Sequence, residues 1–375
     1  MSGGGRLRIV LSGMLAGVPG QGGASWAVLQ YLLGLRRLGH DVVLVEPAAP
    51  GPAVGAYFAA VVERFGLEGR AALLDPATGA TTGLSRAALL DAVAGADLLL
   101  NVSGMLADEE ILAACEVRVF VDLDPGFTQL WHAVEGIDMG FDRHDRFVTI
   151  GGRIGTDGCT VPTCGREWLT TLQPVVLEHW PVGGEVRHDA FTTVGHWRAY
   201  GSIDHDGVRY GQKAHSLRAL LELPERAAAS ARFTPALGIH PDETSDLAAL
   251  DAHGWELLDP AVVAGTPEDY AEFVRGSWAE IGVAKSGYVE SACGWFSDRS
   301  VCYLASGRPV LAQDTGFGDD LPTGEGLLAF STVDEAAAGA AELRAHYGRH
   351  RLAARALAEE AFESDRVLRR LLEAL

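Results

Sequence analysis

The stretch at residues 294–317, GWFSDRSVCYLASGRPVLAQDTGF, places a cluster of polar side chains directly before an apolar run. Ser297 is a favourable helix N-cap residue, and Gly307 is a natural left-handed stop. The stretch therefore predicts a helix over residues 298–306.

The first turn of this helix holds Arg299 and the hydroxyls of Ser297 and Ser300. A helix N-terminus carries about half a positive charge and unpaired N–H groups, so these side chains predict a seat for a phosphate group. Asp298 in the same turn suits the helix dipole, although it would repel an anion. An ordinary capped surface helix explains the same residues equally well.

The N-terminus of this helix is expected at the ligand-binding edge of a sheet. In an open α/β sheet, ligands bind at the carboxyl ends of the strands. We take SGYV as the strand before the helix and PVLAQD as the strand after it. The second strand would bring Asp314 and Thr315 to the same edge, where they could bind hydroxyl groups of a polar ligand.

The start of the chain alternates strands and helices. LRIVLS reads as a buried strand, GMLAGVPGQGGAS as a glycine-rich loop, WAVLQYLLGLRRLGH as a helix that ends at Gly39, and DVVLVEP as a second strand. This order predicts a βαβ unit with parallel strands and a right-handed crossover. The alternation continues to VRVFVDLDP, which ends at Asp122 and Asp124, so the first half is predicted to be a doubly wound α/β domain.

The second half repeats the alternation after a break. Residues 150–187 are rich in Gly, Pro and Trp, and the domain transition is expected near residues 180–185. Strands are predicted in FTTVGHW, FTPALGI and WELLDP, and helices in GQKAHSLRALLELP, DLAALDAHG and PEDYAEFVRGSWAEIG. We therefore predict two α/β domains, residues 1–182 and 183–355, and a C-terminal helix at residues 356–375 that packs back on the first domain.

Composition excludes several classes of protein. The net charge is −20, which argues against a nucleic-acid polymer as partner, because such proteins neutralise phosphates with basic residues. The five cysteines are few and irregularly spaced, which indicates reduced thiols. No apolar stretch reaches 18 residues and no signal peptide is recognised, so a cytoplasmic protein without a membrane span is expected. A homodimer is left open.

Two segments of the chain resemble GT-B-fold glycosyltransferases. Residues 294–317 are similar to their donor-binding segment in the order of helix, Gly-Arg-Pro-Val-Leu strand and Asp-Thr-Gly, and GQGGASWAVLQYLLGLRRLGHDVVLVEP is similar to the start of their N-terminal domain. The resemblance implies two Rossmann-like domains that face each other across a cleft. It also implies an enzyme that moves a sugar from a nucleotide-diphosphate sugar, such as UDP-glucose, to a hydroxyl of a small-molecule acceptor, with no further cofactor.

The same resemblance assigns binding residues. Those assigned to the donor are Gly201, Lys213, Leu258, Ser297, Asp298, Arg299, Ser300, Asp314 and Thr315. Those assigned to the acceptor are Gly22, Gly23 and His132. Tyr200, Glu280 and Lys285 are further candidates close to the donor.

The resemblance also bears on the stereochemistry of sugar transfer and on the residue that serves as the catalytic base. Retaining families often carry Glu-x7-Glu in the donor segment, where this chain has Gly294 and Cys302, and that departure favours inversion. An inverting enzyme needs a base for the acceptor hydroxyl. The loop after the first strand has no titratable residue, so Asp122 and Asp124 are predicted as the catalytic carboxylates, with His132 as an alternative. Turn formation before a proline explains both aspartates equally well.

The sequence also bears on a metal site, on a dinucleotide site and on functions other than glycosyl transfer. Asp122–Asp124 and Asp204–Asp206 have the Asp-x-Asp spacing of metal-dependent glycosyltransferases, but that fold has one nucleotide domain, so no metal is expected. The glycine-rich loop lacks G-x-G-x-x-G spacing, which argues against a dinucleotide. A GT-B-fold sugar-nucleotide epimerase and a non-catalytic two-lobed binding protein remain alternatives. The Ala/Gly/Arg-rich composition suggests a bacterial enzyme of secondary metabolism.

Overall fold

The strands divide between the two halves of the chain in the computed structural model, which describes residues 5–375. In the first half they are β1 Arg8–Ser12, β2 Asp41–Pro47, β3 Ala71–Leu74, β4 Thr81–Gly83, β5 Ala96–Val102, β6 Cys115–Asp122, β7 Arg146–Thr149 and β8 Trp168–Thr170. In the second half they are β9 His188–Thr192, β10 Val194–His196, β11 Ile203–His205, β12 Val208–Tyr210, β13 Ala236–Gly238, β14 Ser277–Gly282, β15 Val310–Gln313 and β16 Leu327–Phe330.

Helices separate most of these strands. They are α1 Gly22–Arg37, α2 Pro52–Arg64, α3 Arg86–Val93, α4 Glu109–Ala114, α5 Phe127–Ala133, α6 Lys213–Arg218, α7 Leu223–Arg226, α8 Thr244–Ala252, α9 Pro260–Val263, α10 Pro267–Gly276, α11 Ser286–Ser291, α12 Asp298–Ala305, α13 Val333–Ala345, α14 Tyr347–Leu357 and α15 Ser364–Ala374. Short 3-10 turns lie at Phe141–Arg143, Leu177–His179 and Phe317–Asp319, and a π-helical turn lies at Ala358–Phe362.

The first half forms one eight-stranded sheet in the order β4-β3-β2-β1-β5-β6-β7-β8. All neighbours are parallel except β3 and β4. Successive residues of β1 enter different cores, because strand side chains alternate between the two faces. Leu11 packs with Leu29 of α1, whereas Val10 packs with Leu89 of α3 and Ile111 of α4. Helices on both faces explain why the strands read as continuous apolar runs.

The second half forms a smaller parallel sheet in the order β16-β15-β14-β9. Strand β9 runs on into β10 after Thr193, and β10 pairs with β13 in parallel. The α/β class and the two Rossmann-like halves predicted from the sequence are confirmed.

The helix predicted at residues 298–306 is confirmed as α12. The Ser297 hydroxyl accepts a hydrogen bond from the backbone N–H of Arg299 at 3.2 Å, as expected of an N-cap. Gly307 ends the helix with φ +64°, a left-handed value that glycine adopts without strain.

Three secondary-structure predictions in the second half are wrong. The helix predicted at residues 267–282 ends at Gly276, and Ser277–Gly282 is the central strand β14, buried along its whole length. SGYV is the start of helix α11 and not a strand. WELLDP forms only a single bridge, between Leu258 and Ala236. Short apolar runs have no periodicity that separates a buried strand from a helix, so tertiary packing decided these elements.

The C-terminal helix α15 packs on helix α1 of the first half. Gly34 of α1 faces this helix, and a Cβ at Gly34 would lie 2.5 Å from Leu368. The chain beside it is held by backbone hydrogen bonds from Val175 to Phe362 and from Ser364 to Val175. No helix of the described residues combines the length and the apolar character needed to cross a bilayer.

The two halves also meet at the start of helix α1. The Gly22 N–H donates to Ala264 O at 2.9 Å, and the Trp26 indole N–H donates to Pro267 O at 2.8 Å. A Cβ at Gly22 would lie 2.0 Å from Thr266 O. The glycine-rich loop therefore needs glycine here because it contacts the backbone of the other half.

We predict that Gly22→Ala lowers the free energy of unfolding by about 1–3 kcal/mol, because the new methyl group overlaps a backbone carbonyl. The matched control is Gly55→Ala in helix α2, where a Cβ meets no atom within 4 Å. This control should raise stability by about 0.5–1 kcal/mol. Denaturant unfolding of the three proteins compares them, and equal effects of the two substitutions would refute the close contact.

Candidate ligand-binding cleft

A cavity of about 400 Å³ lies between the two halves. The first half lines it with Pro19, Gly20, Gln21, Gly23 and Ala24, and the second half with Val194, Gly195, His196, Pro260, Ala261, Ala264, Tyr270, Asp298 and Arg299. Of the second-half residues, Val194, Gly195 and His196 form strand β10, Pro260 and Ala261 begin helix α9, and Asp298 and Arg299 begin helix α12. Ala264 follows α9, and Tyr270 lies within α10. The cavity is thus at the edge where open α/β sheets bind ligands.

Lys213 of helix α6 is buried beside this cavity. A Cβ at Gly195 would lie 2.7 Å from Lys213 Nζ, so a glycine is required to leave room for the amine. Burial, followed by the neighbouring Arg299 charge, holds the pKa of Lys213 well below 10.5. Within residues 5–375, Lys213 forms no salt bridge with a carboxylate, and the more distant charges of Glu280 and Asp298 oppose the fall in its pKa only in part. A buried cation without an anionic partner is costly, and an anion in the cavity would remove that cost.

Arg299 is the second buried cation, and it is already paired. Its side chain forms an ion pair with Glu280, which is 0% exposed, and donates to Val194 O at 2.9 Å. Two atoms of this pair, Arg299 Nη2 and Glu280 Oε2, have no hydrogen-bond partner among the described residues. The Glu280 charge offsets that of Arg299, so Lys213 and the N-terminus of α12 supply most of the attraction for an anion.

The remaining residues of the predicted phosphate seat differ in their roles. Ser297 caps α12 and is 4% exposed, and Ser300 is 1% exposed beside Gly282. Asp298 is half-buried and lines the cavity next to Arg299. His196 was not identified from the sequence. Burial, and then the charges of Lys213 and Lys285, lower the pKa of His196, so it faces the cavity as a neutral imidazole.

Both lysines of the chain lie near this cleft. The sequence has 28 arginines and only two lysines, Lys213 and Lys285, and both are largely buried. A lysine is a compact charge that can lose its proton when buried, unlike arginine. This unequal use of the two basic residues is a second sequence signal for Lys213 and Lys285, both of which were named from the sequence as candidates near the donor.

Asp124 joins the two halves on another side. Its carboxylate accepts from Lys285 Nζ at 2.8 and 3.0 Å and from the hydroxyls of Tyr200 and Tyr288, all from the second half. The Lys285 ammonium also lies 4.4–5.1 Å from the ring centres of Tyr200, Tyr288 and Phe127. Both carboxylate oxygens are therefore engaged in this arrangement. Tyr288 had no signal in the sequence.

The Asp122 carboxylate is buried and is occupied by hydrogen bonds within the first half. It is 0% exposed and accepts hydrogen bonds from the side chains of Thr128, Gln129 and Thr149 and from the backbone of Asp124, at 2.8–3.0 Å. Burial raises the pKa of Asp122 against these hydrogen bonds. The carboxylate shapes the turn after β6, and of the two predicted catalytic aspartates it is Asp124 that reaches the interface.

The other predicted donor residues do not line the cavity, and they form hydrogen bonds within loops. The Thr315 hydroxyl donates to Trp295 O at 2.5 Å, and Asp314 accepts from the Gly316 N–H at 2.8 Å. Leu258 is half-buried and donates its N–H to Pro235 O at 3.0 Å, just before helix α9 at the cavity wall. Gly201 is exposed and accepts from the Gln212 side chain at 3.3 Å.

The predicted acceptor residues are not brought together. Gly22 contacts the second-half backbone, and Gly23 lines the cavity against Tyr270. His132 packs on Phe141 within the first half, with ring centres 4.6 Å apart.

The Asp-x-Asp pattern at Asp204 and Asp206 lies on the β11–β12 hairpin, with side chains 69% and 88% exposed. Across residues 5–375, no three His, Cys, Asp or Glu side chains are grouped so as to hold a metal ion.

Glu46 organises the glycine-rich loop and was missed in the sequence. It is 0% exposed near the end of β2, and its carboxylate accepts the N–H groups of Leu15, Ala16 and Gly17 at 2.6–3.0 Å. The N–H groups at residues 15–17 are therefore occupied, while residues 19–21 of the loop face the cavity. Burial raises the pKa of Glu46 to about 7, although the backbone N–H groups oppose the shift.

Neither a protein-family model nor a curated protein sequence matches this chain. Solved structures do match it along its whole length. AviGT4, a glycosyltransferase involved in avilamycin A biosynthesis, is similar with a TM-score of 0.57 and 14% identity, over 98% of this chain and 96% of that chain. An alpha-glucosyltransferase in complex with UDP and a 13-mer DNA is similar with a TM-score of 0.64 and 12% identity, over 98% and 99%.

Anabaena Alr3699/HepE in complex with UDP and glucose is similar with a TM-score of 0.57 and 11% identity, over 98% of this chain and 100% of that chain. These likenesses cover both halves and the cleft between them. The chain therefore has the GT-B fold, in which two Rossmann-like domains face each other across a cleft.

The raised pKa of Glu46 generates a prediction about stability and pH. The folded-state pKa of about 7 lies above the ordinary 4.5, so this group favours folding most below pH 4.5 and loses that contribution as the pH rises through 7. We compare the free energies of unfolding of Glu46→Gln and the wild type. As the pH rises from 5 to 8, the difference between them should shift in favour of the variant by up to about 3 kcal/mol, because only the wild type loses a proton at this position. Denaturant unfolding at four pH values tests this, and a pH-independent difference would contradict it.

Proposed function

We propose that the protein is a glycosyltransferase that transfers a sugar from a nucleoside-diphosphate sugar to a hydroxyl group of a small acceptor. The observation that carries this proposal is a pair of buried basic side chains beside the N-terminus of α12: Arg299 lines the interdomain cavity, and the Lys213 amine lies against the cavity-lining Gly195. A diphosphate is the anion that matches this seat, because it accepts from N–H groups and from an ammonium at once.

The seat suits the chemistry of sugar transfer. Breaking the bond between the sugar and the diphosphate leaves additional negative charge on the phosphate oxygen. A cation that is preorganised in a buried site stabilises this charge more than it stabilises the intact donor. Lys213 has that position, and its proton is held by the anion when the donor is bound.

Uridine diphosphate is our proposed nucleotide. The alpha-glucosyltransferase and HepE structures that share this fold contain UDP. In this chain the base would lie near helix α9, where Pro260 and Ala261 line the cavity. The AviGT4 likeness supports an acceptor of the secondary-metabolite class.

We propose inversion and metal independence for the transfer. Gly294, at φ +75°, leaves no room for a side chain, since a Cβ there would lie 2.9 Å from the Arg153 backbone nitrogen. A glutamate at residue 294 is thus excluded, and Cys302 occupies the position of the second glutamate in the Glu-x7-Glu pattern. Asp124 remains the proposed base, and it would have to part from Lys285 to accept a proton.

Lys213→Met is the sharpest test of the phosphate seat. The substitution removes a buried unpaired charge, so the free protein should keep or gain stability. At a UDP concentration 100 times its Kd, the wild type should gain about 2.7 kcal/mol, and the variant should lose most of this gain. Calorimetric melting with and without UDP measures both effects.

The control for this test is Arg226→Met, which removes an exposed positive charge from helix α7 and should leave the UDP effect unchanged. Arg299→Ala is unsuitable because it leaves Glu280 buried and unpaired. Lysine-selective acylation gives a second readout, since the chain has two lysines and UDP should protect Lys213. If UDP neither stabilises the wild type nor protects Lys213, the proposed donor site is wrong.

Turnover tests the catalytic part of the proposal. Incubation with a panel of UDP-sugars and a phenol as acceptor should release UDP and form an aryl glycoside whose anomeric configuration is opposite to that of the donor. The coupling constant of the anomeric proton in the proton NMR spectrum reports the configuration. Retention would overturn inversion, and tight UDP binding without any turnover would favour a non-catalytic binding protein.

A further inference from the structure

A second, smaller cavity lies behind the phosphate seat. It has a volume of about 80 Å³ and lies between helix α1 and the first turn of α12. Its polar lining consists of Gln30, Tyr31, Gln173, Asp298 and Cys302. The cavity is enclosed by both halves of the chain, and Asp298 lines both it and the larger cavity.

The polar groups of this cavity are not fully used by the protein. The Tyr31 hydroxyl is buried, with its residue 2% exposed, and has no hydrogen-bond partner within the described chain. The Asp298 carboxylate accepts a long hydrogen bond from the Ser297 hydroxyl, at 3.5 Å. A buried hydroxyl without a partner costs free energy, so its presence beside a carboxylate points to a ligand or to water.

The neighbouring amides are held in fixed positions. Gln30 accepts the Val176 N–H at 2.7 Å, and the Gln173 side chain donates to Phe296 O. These bonds connect the cavity wall to the backbone of both halves. The unpaired Tyr31 hydroxyl and the Asp298 carboxylate are therefore presented by a rigid wall, as a binding site requires.

The chemistry of the lining selects hydroxyl groups. No basic side chain is among the described lining residues, so an anionic group would meet the Asp298 carboxylate without a counter-charge. A carboxylate accepts two hydrogen bonds from neighbouring hydroxyls, and the Tyr31 hydroxyl can donate or accept a third. Burial also raises the pKa of Asp298, which increases its gain from such donors.

We propose that this cavity receives the hydroxyl edge of a carbohydrate ring whose phosphates occupy the Lys213 seat, with Asp298 and Tyr31 as its hydrogen-bonding partners. The inference rests on the proposed function and extends it to a neutral, non-carboxylated sugar. A volume of about 80 Å³ corresponds to about two or three waters, which is the space of one or two hydroxyl groups and not of a whole ring.

The test separates the sugar from the phosphate. Isothermal titration compares UDP with UDP-glucose, UDP-galactose and UDP-N-acetylglucosamine on the wild type, Tyr31→Phe and Asp298→Asn. We expect at least one UDP-sugar to bind the wild type more tightly than UDP does. Tyr31→Phe should reduce that advantage about two- to ten-fold, and Asp298→Asn at least as much, while UDP affinity does not fall.

Two further arms distinguish the sources of the hydroxyl groups. If the ribose occupies the cavity, both substitutions should lower the affinity for UDP itself. 2′-Deoxy-UDP should then bind the wild type and both variants with the same affinity. This result would also support the hydroxyl site. Tyr347→Phe is the matched control, because the Tyr347 hydroxyl donates to Trp278 O elsewhere in the second half. It should change no ligand affinity.

The outcomes separate this inference from the proposed function. If UDP binds but neither substitution alters UDP or any UDP-sugar, the hydroxyl site is overturned while the phosphate seat stands. If UDP does not bind the wild type, the proposed function fails and this site fails with it. Melting curves of the free variants show that each is folded, and Tyr31→Phe removes only an unpaired hydroxyl.

Discussion

The ion pair between Arg299 and Glu280 is the interaction on which the cleft depends. Glu280 lies in the middle of the central strand β14, Arg299 begins helix α12, and the Arg299 guanidinium also binds the carbonyl of Val194 in β10. Three elements of the second domain are thus tied together at one buried point. Because the two charges are largely removed from water, neither can be lost without leaving the other unpaired.

This pair also decides which cation is free to bind a ligand. Arg299 is matched by Glu280, so the basic group without a carboxylate partner beside the cleft is Lys213, whose amine lies against the backbone of the cavity-lining Gly195. The two lysines then have opposite roles. Lys213 lacks a carboxylate partner, whereas Lys285 is held across the domain interface by Asp124 and Phe127 and within its own domain by the rings of Tyr200 and Tyr288. One serves ligand binding and the other joins the domains.

Several separate contacts hold the two domains together around the cleft. The glycine-rich loop touches the second domain at Ala264, and Asp124 joins Lys285 at another point of the interface. Glu46 fixes the first half of the same loop, which leaves the second half to line the cavity. The cavity is therefore shaped by backbone positions as much as by side chains, and glycine is needed where those backbones meet.

Much of this could be predicted from the sequence, because capping, strand alternation and glycine stops are local. The helix after Ser297, the βαβ start and the two-domain α/β class follow from such patterns. Strand β14 could not be predicted, since a six-residue buried run has no helical or strand period, and only its pairing with β9 and β15 defines it. Asp122 and Asp124 look alike in the sequence, yet one is enclosed by four donors and the other crosses the interface. The sequence alone determined which local elements form and which residues carry charge. Tertiary structure alone decided which charges are paired, because partners such as Glu280 with Arg299 or Asp124 with Lys285 are brought together only by folding.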